Sequence, residues 1–227
     1  MRDLNDLDFE YIGAYYRKHG KDAKLQKIED AILSKGNAYE IYMYAYEIDI
    51  DIKTFENAII ATKNPTFITR FARDIKHADR KKLEAAIIEI GDPKGICYYA
   101  EQIKTANIKL LQEKIIKIGN PKYIIAFMLI AMENTNTKQT QDAIIMSEDA
   151  IIKSGDAKAI FEFAQRIPGA NIDLLQEAII KTNNHHFIYK FGVWIDGSNK
   201  KRLFAVAKTI EDRHSAENHV DELLDEE

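Results

Sequence analysis

A single cysteine, Cys97, is the only thiol that could act as a nucleophile in this chain. One cysteine excludes an internal disulfide, and it also excludes any metal site that needs several cysteine ligands. Cys97 lies two residues before Tyr99 within an apolar pattern, where a small packed side chain fits as well as a thiolate does. The sequence therefore favours a structural cysteine.

Histidines are the next candidates, because neutral imidazole is a common metal ligand. His185 and His186 are adjacent, and adjacent residues on a helix point about 100° apart, so both cannot reach one metal ion. A second group of residues could hold a divalent ion or could simply be a solvated acidic segment. It consists of His214, His219, Asp221 and Glu222.

Motifs of catalysis are missing from the sequence. It contains no Gly-rich phosphate loop, no His-Glu-x-x-His helix, no Gly-x-Ser-x-Gly elbow and no acidic calcium loop. We therefore predict no catalytic, cofactor-binding or metal-binding residues, no cofactor and no enzymatic activity.

Basic residues offer a different chemistry, the binding of phosphate groups. The run Arg80-Lys81-Lys82 is echoed by Lys200-Lys201-Arg202, but the formal net charge of the chain is −4. A dedicated nucleic-acid binder usually carries a basic excess. If the chain does bind nucleic acid, the expected contacts are Arg70, Arg73, Lys81 and Lys82; otherwise these side chains form a solvated charged face.

Aromatic residues outside the regular apolar pattern are the strongest binding candidates. Tyr39, Tyr42 and Tyr46 are spaced i, i+3, i+7, so they lie on one side of a helix. Tyr11 precedes them, and Trp194 lies near the end of the pattern. Tyr and Trp are favoured anchors at protein interfaces, although they also seal the ends of repeat domains. These five residues are the predicted partner-binding set.

The elements that position these residues follow an internal repeat of about 28 residues, with one longer step. A phrase of the type Ala-Ile-Ile recurs at Ala31, Ala58, Ala86, Lys114, Ala150 and Ala178. A second phrase, isoleucine with an aromatic residue three positions later, recurs in the same steps at Ile41, Ile68, Ile96, Ile124, Ile160 and Ile188. Each phrase has the period of an amphipathic helix.

Turn residues separate the two helices of each repeat. Gly91-Asp92-Pro93 and Gly119-Asn120-Pro121 combine a helix stop, an N-cap and a first-turn proline. Asp51, Asp79, Asn107, Asn171 and Asn199 are predicted to cap the first helix of their repeats. The longer step predicts one extended helix from about Thr137 to Ser154.

These signals predict an all-α fold, an α-solenoid of about six helix-pair repeats with thirteen or fourteen helices. An N-terminal half-repeat covers Asp8 to His19, and a final helix forms a C-terminal cap. We predict one repeat domain over residues 1–211 and an acidic tail over 212–227, where seven acidic residues stand against Arg213.

This pattern resembles the α/α solenoid families, namely the HEAT, armadillo and tetratricopeptide repeats, along almost the whole chain. The resemblance is one of architecture only and implies no activity. It is also similar to short helical repeats of low-GC bacteria and their phages. We therefore expect a non-catalytic protein-binding scaffold, either an adaptor or an inhibitor such as a phage or bacterial inhibitor of a larger host complex. The alternative is a HEAT-like nucleic-acid-binding protein. Neither a signal peptide nor a membrane span is apparent, so the expected location is the cytoplasm.

Overall fold

The computed structural model describes residues 8–48, 51–134 and 137–224, with side chains as far as residue 213. Within these ranges the regular structure consists of fourteen α-helices and contains no strand. The predicted all-α fold and number of helices are therefore confirmed.

Two compact units divide the chain, Met1–Asn107 and Ile108–Glu227. The first unit contains α1 (Phe9–His19), α2 (Ala23–Lys35), α3 (Ala38–Glu47), α4 (Ile52–Ala61), α5 (Pro65–Asp74), α6 (Arg80–Ile90) and α7 (Pro93–Gln102). The second contains α8 (Ile108–Ile118), α9 (Pro121–Asn134), α10 (Thr137–Ser154), α11 (Ala157–Arg166), α12 (Ile172–Lys181), α13 (His185–Trp194) and α14 (Lys200–Leu224).

Helices of the same parity pack side by side within each unit. In the first unit α1, α3, α5 and α7 form one layer, and α4 packs on α6 in the other. In the second unit α9, α11 and α13 form one layer, α10 packs on both α8 and α12, and α14 packs against α13. The apolar stripes face between the layers: Ile68, Phe71 and Ala72 of α5 are fully buried.

Predicted turn chemistry is found at most helix boundaries. Pro65 and Pro93 occupy the first turns of α5 and α7, and Asn64 and Asp92 cap those helices. Asp79, Asn171 and Asn199 accept backbone N–H groups as predicted. Asp51 does not: its backbone is left-handed and its side chain makes no capping bond.

The extended helix is confirmed as α10, which runs from Thr137 to Ser154 over 18 residues. The last helix is longer than its Leu203–Ile210 pattern predicts, since α14 continues to Leu224, past residue 211 where the predicted repeat domain ends. The domain and tail boundaries remain predictions.

One recurring polar position was not predicted. Two residues before the start of each Ala-Ile-Ile phrase stands a Glu or Gln, and we call these the clasp residues: Glu29, Glu56, Glu84, Gln112, Glu148 and Gln176. All are buried except the half-buried Glu84. Four of them accept the backbone N–H of the residue 23 positions later, in the turn before the next helix but one along the chain. The pairs are Asp79 to Glu56, Asn107 to Glu84, Asn171 to Glu148 and Asn199 to Gln176.

Candidate protein interface

Tyr39, Tyr42 and Tyr46 of α3, together with Phe67 of α5, form what we call the tyrosine surface, in the first unit. Asn37 starts α3 by accepting the backbone N–H groups of Tyr39 and Glu40, which fixes the direction in which the tyrosines point. Tyr39 is 48% exposed and Tyr46 is 55% exposed, so both present ring area to solvent.

Ring contacts hold the tyrosine surface in place. The ring of Tyr39 meets Phe9 of α1 edge-on at 6.1 Å between centroids, and it meets Phe67 at 6.0 Å. The ring of Tyr46 lies 6.0 Å from that of Tyr42. Rigid aromatic side chains lose little conformational freedom on binding, and they therefore suit an interface.

Tyr42 corrects the expectation that all three tyrosines lie outside the core. Only 9% of this residue is exposed, because Phe67 covers its ring at 6.0 Å. Its hydroxyl donates to Asp74 Oδ2 at 2.8 Å. Burial, followed by the bond to Asp74, raises the pKa of Tyr42 to about 12. Tyr42 therefore supports the surface from beneath and contributes little area to it.

Asp74 is shared between the tyrosine surface and a basic residue. The Arg73 guanidinium bonds both Asp74 oxygens, at 2.8 and 3.0 Å, and donates a further bond to Gln102 Oε1 of α7. This guanidinium, more than the Tyr42 hydroxyl, holds the pKa of Asp74 below its usual value. The positive charge of Arg73 is thus already matched within the fold.

The other predicted nucleic-acid contacts differ in how they are placed. Lys82 Nζ bonds Asn57 Oδ1 at 2.6 Å and pairs with Glu56 at 3.4 Å. The Arg70 guanidinium lies over the Phe67 ring, 5.3 Å from its centroid. Lys81 is exposed.

The remaining two partner candidates lie in different units. Tyr11, on α1 of the first unit, is 61% exposed. Trp194 ends α13 of the second unit and is 63% exposed. Tyr189 and Val193, four positions apart on α13, are both exposed and lie on one side of the helix, which we call the α13 face. Trp194 points about 100° away from Val193 and lies outside this face.

A groove of about 630 Å³ runs beside the α13 face, between α13 and α14. Its aromatic floor is formed by Tyr189 and Phe204, whose ring centroids are 5.1 Å apart. Charged and titratable groups complete the lining: His185, His186, Lys208, Glu211 and Asp212.

The cysteine and histidines that could have catalytic or metal-binding roles do not form such a site in the described residues. Burial raises the pKa of the Cys97 thiol to about 12, so the thiol stays protonated at neutral pH. His185 and His186 both line the groove, but no group of three or more potential metal ligands occurs in the described part of the chain. The side chains of His214, His219, Asp221 and Glu222 lie outside the described residues.

Sequence reasoning missed Phe67, Tyr189 and Phe204. The signal was available in the repeat. We call the isoleucine of the second phrase the stripe isoleucine of its helix, for example Ile68 of α5 and Ile188 of α13. Phe67 directly precedes the first of these, and Tyr189 directly follows the second. Phe204 stands where the repeat places a clasp residue, so a hydrogen-bonding side chain is replaced there by an apolar one.

Comparison with known protein families, curated proteins and solved structures finds no match for this chain. Among the described residues, no helix combines the length and the apolar character that crossing a membrane requires.

Proposed function

We propose that this chain is a non-catalytic scaffold for protein–protein interaction, and that the tyrosine surface is its main contact with another protein. The observation that carries the proposal is the pairing of exposure with rigidity at Tyr39 and Tyr46. Both rings are about half exposed, and both are held by neighbouring aromatic rings.

The same-parity packing within each unit supports an α-solenoid of about six helix-pair repeats as the scaffold. A solenoid presents one row of helices as an extended binding surface, and the layer of α1, α3, α5 and α7 carries the tyrosine surface. Whether the bound protein is recruited or blocked distinguishes an adaptor from an inhibitor, and a phage or bacterial inhibitor of a larger host complex fits the second role.

The nucleic-acid alternative receives less support from the side chains. A phosphate-binding stripe needs cations that are free to replace counterions. Arg73 and Lys82 instead lie against carboxylates within the fold. Arg70 leans on Phe67, and this leaves Lys81 as the one candidate that points freely into solvent.

A photo-crosslinking experiment tests the proposal. A benzophenone amino acid replaces Tyr46 in one version of the chain, and in the control version it replaces Leu174, an exposed apolar residue of α12. The proposal predicts one protein crosslinked from position 46, resistant to nuclease, and absent from position 174. Nucleic acid as the crosslinked species, or equal yields from both positions, would overturn it.

Binding by the same protein should also depend on ring area. The double variant Tyr39→Ala with Tyr46→Ala is expected to raise the dissociation constant by about 30-fold or more, which corresponds to about 2 kcal/mol of binding free energy. Leu174→Ala should leave it unchanged. Because Tyr39 and Tyr46 are exposed, thermal melting of the double variant should stay close to that of the original chain.

A further inference from the structure

One contact between neighbouring odd-numbered helices occurs once inside each unit. In it, the residue directly after the stripe isoleucine of one helix touches the residue directly before the stripe isoleucine of the next odd-numbered helix. In the first unit Tyr42 of α3 meets Phe67 of α5, with ring centroids 6.0 Å apart. In the second unit Phe161 of α11 meets Phe187 of α13 at 6.1 Å.

Two tyrosines stand at the positions that form this contact, and within the described residues neither meets an equivalent partner on a neighbouring odd-numbered helix. Tyr189 directly follows the stripe isoleucine of α13, so it corresponds to Tyr42 and Phe161. Tyr11 directly precedes Ile12, the stripe isoleucine of α1, so it corresponds to Phe67 and Phe187. Both are more than half exposed, at 55% and 61%.

We propose that a second copy of this chain covers the α13 face with its α1 helix, so that copies associate head to tail through Tyr11 of one and Tyr189 of the other. In this arrangement the incoming α1 takes the place, relative to α13 and α14, that α13 takes relative to α11 and α12. The proposal does not depend on the proposed function, because it uses neither Tyr39 nor Tyr46.

The surroundings of Tyr189 leave room for this contact. Phe204 of α14 covers one side of the Tyr189 ring, yet more than half of the residue remains exposed. Val193, one helical turn after Tyr189, extends the apolar area along α13. Exposed tyrosine is one of the residue types enriched at protein interfaces.

Basic residues near this contact should make self-association depend on salt concentration. Two helices joined by a short turn, such as α12 and α13, run in opposite directions. If α1 of the second copy follows α14 in the same way, the start of α14 lies near the end of that α1. The first carries Lys200 and Lys201, and the second carries Arg17 and Lys18. These like charges weaken association at low salt, and added salt is therefore expected to strengthen it.

The interface is heterologous, because two different surfaces meet, and such contacts extend without closing unless a ring forms. Sedimentation of the full chain over about 1 µM to 1 mM should therefore show an average mass that rises with concentration past that of a dimer. A chain that stays monomeric over this range overturns the proposal and leaves the α13 face to a helix of another protein.

Complementation between two variants gives the sharper test. Tyr11→Glu should block one end and Tyr189→Glu the other, each weakening self-association by about tenfold or more. Because each variant keeps the end that the other lacks, an equal mixture should form dimers that grow no further. Failure of the mixture to form them, when both variants keep their helical circular dichroism, overturns the head-to-tail contact.

Tyr46→Glu serves as the matched control, since Tyr46 is as exposed as Tyr189 but lies on α3, which forms neither of the two proposed contact surfaces. It should leave self-association unchanged while weakening the binding of a different protein at the tyrosine surface. Loss of self-association in Tyr46→Glu, or a weakening of self-association by added salt, would contradict the placement of the contact.

Discussion

Tyr42 and Tyr189 are the same residue type in the same register of the repeat, yet one is buried and the other is exposed. Each directly follows the stripe isoleucine of its helix. Tyr42 is covered by Phe67 of the next helix in its layer, whereas no such helix covers Tyr189 in the part of the chain that is described. The comparison teaches that burial at this position is decided by the neighbouring helix and not by the residue.

Alanine substitution should separate the two tyrosines most strongly. Tyr42→Ala leaves a cavity under Phe67 and removes the hydroxyl bond to Asp74, so we expect a loss of about 3 kcal/mol in the free energy of unfolding. Tyr189→Ala should cost less than about 0.5 kcal/mol, because the residue is more than half exposed. Denaturant unfolding at a protein concentration low enough to prevent self-association measures both. Equal losses would show that the position in the repeat, and not the covering helix, decides how much each tyrosine contributes to stability.

Removing only the hydroxyl groups sharpens the same comparison. Tyr42→Phe keeps the ring contacts but loses the 2.8 Å bond to Asp74, and we expect a loss of about 1 kcal/mol. Tyr189→Phe should have no measurable effect on unfolding. If Tyr42→Phe is neutral as well, Arg73 alone satisfies Asp74, and the burial of Tyr42 depends on packing.

A second pair of equivalent positions differs at a turn. Lys63 of the first unit and Asn183 of the second are both left-handed, with φ of 51° and 53°, where other repeats place glycine, as at Gly91. Lysine tolerates this conformation less well than asparagine does. Lys63→Gly should therefore stabilise the chain by about 0.5–1 kcal/mol, and Asn183→Gly by less. A larger gain at Asn183, measured by thermal melting, would contradict this order.

The smallest expected effect concerns the clasp residues Glu148 and Gln176, which should differ in how their contribution to stability depends on pH. Burial raises the pKa of Glu148 above that of the unfolded chain, although the Asn171 N–H partly offsets this. A raised pKa means that the stabilisation is fully present below the unfolded pKa and is lost as the pH rises through the folded pKa.

Glu148→Gln removes that titration, so its stability relative to the original chain should increase as the pH rises from about 4 to 7. The reciprocal variant Gln176→Glu should introduce the same dependence in the next repeat. Unfolding curves at several pH values measure both, and a pH-independent difference between Glu148→Gln and the original chain would show that folding leaves the pKa of Glu148 unchanged.

Helix positions were largely predictable from the sequence because caps, prolines and apolar periods act locally. Asn64 and Pro65 mark the start of α5, and the repeated phrase within α10 gave both of its ends. The burial of Tyr42 was not predictable in this way, since it depends on Phe67, which a turn and a helix separate from it. The clasp bonds were hidden for the same reason, because each joins residues 23 positions apart.

The chemistry of the clasp bonds bears on how such a chain can change over evolutionary time. The donor in each is a main-chain N–H, so the identity of the residue that supplies it is immaterial, with the exception of proline, which has none. A change of residue type at Asp79, Asn107, Asn171 or Asn199 can therefore alter the helix cap while leaving the bond to the preceding repeat in place. A repeat that is duplicated or moved within the chain would therefore form the same bond, because the clasp residue of the preceding repeat accepts any main-chain N–H, and no matching mutation is needed.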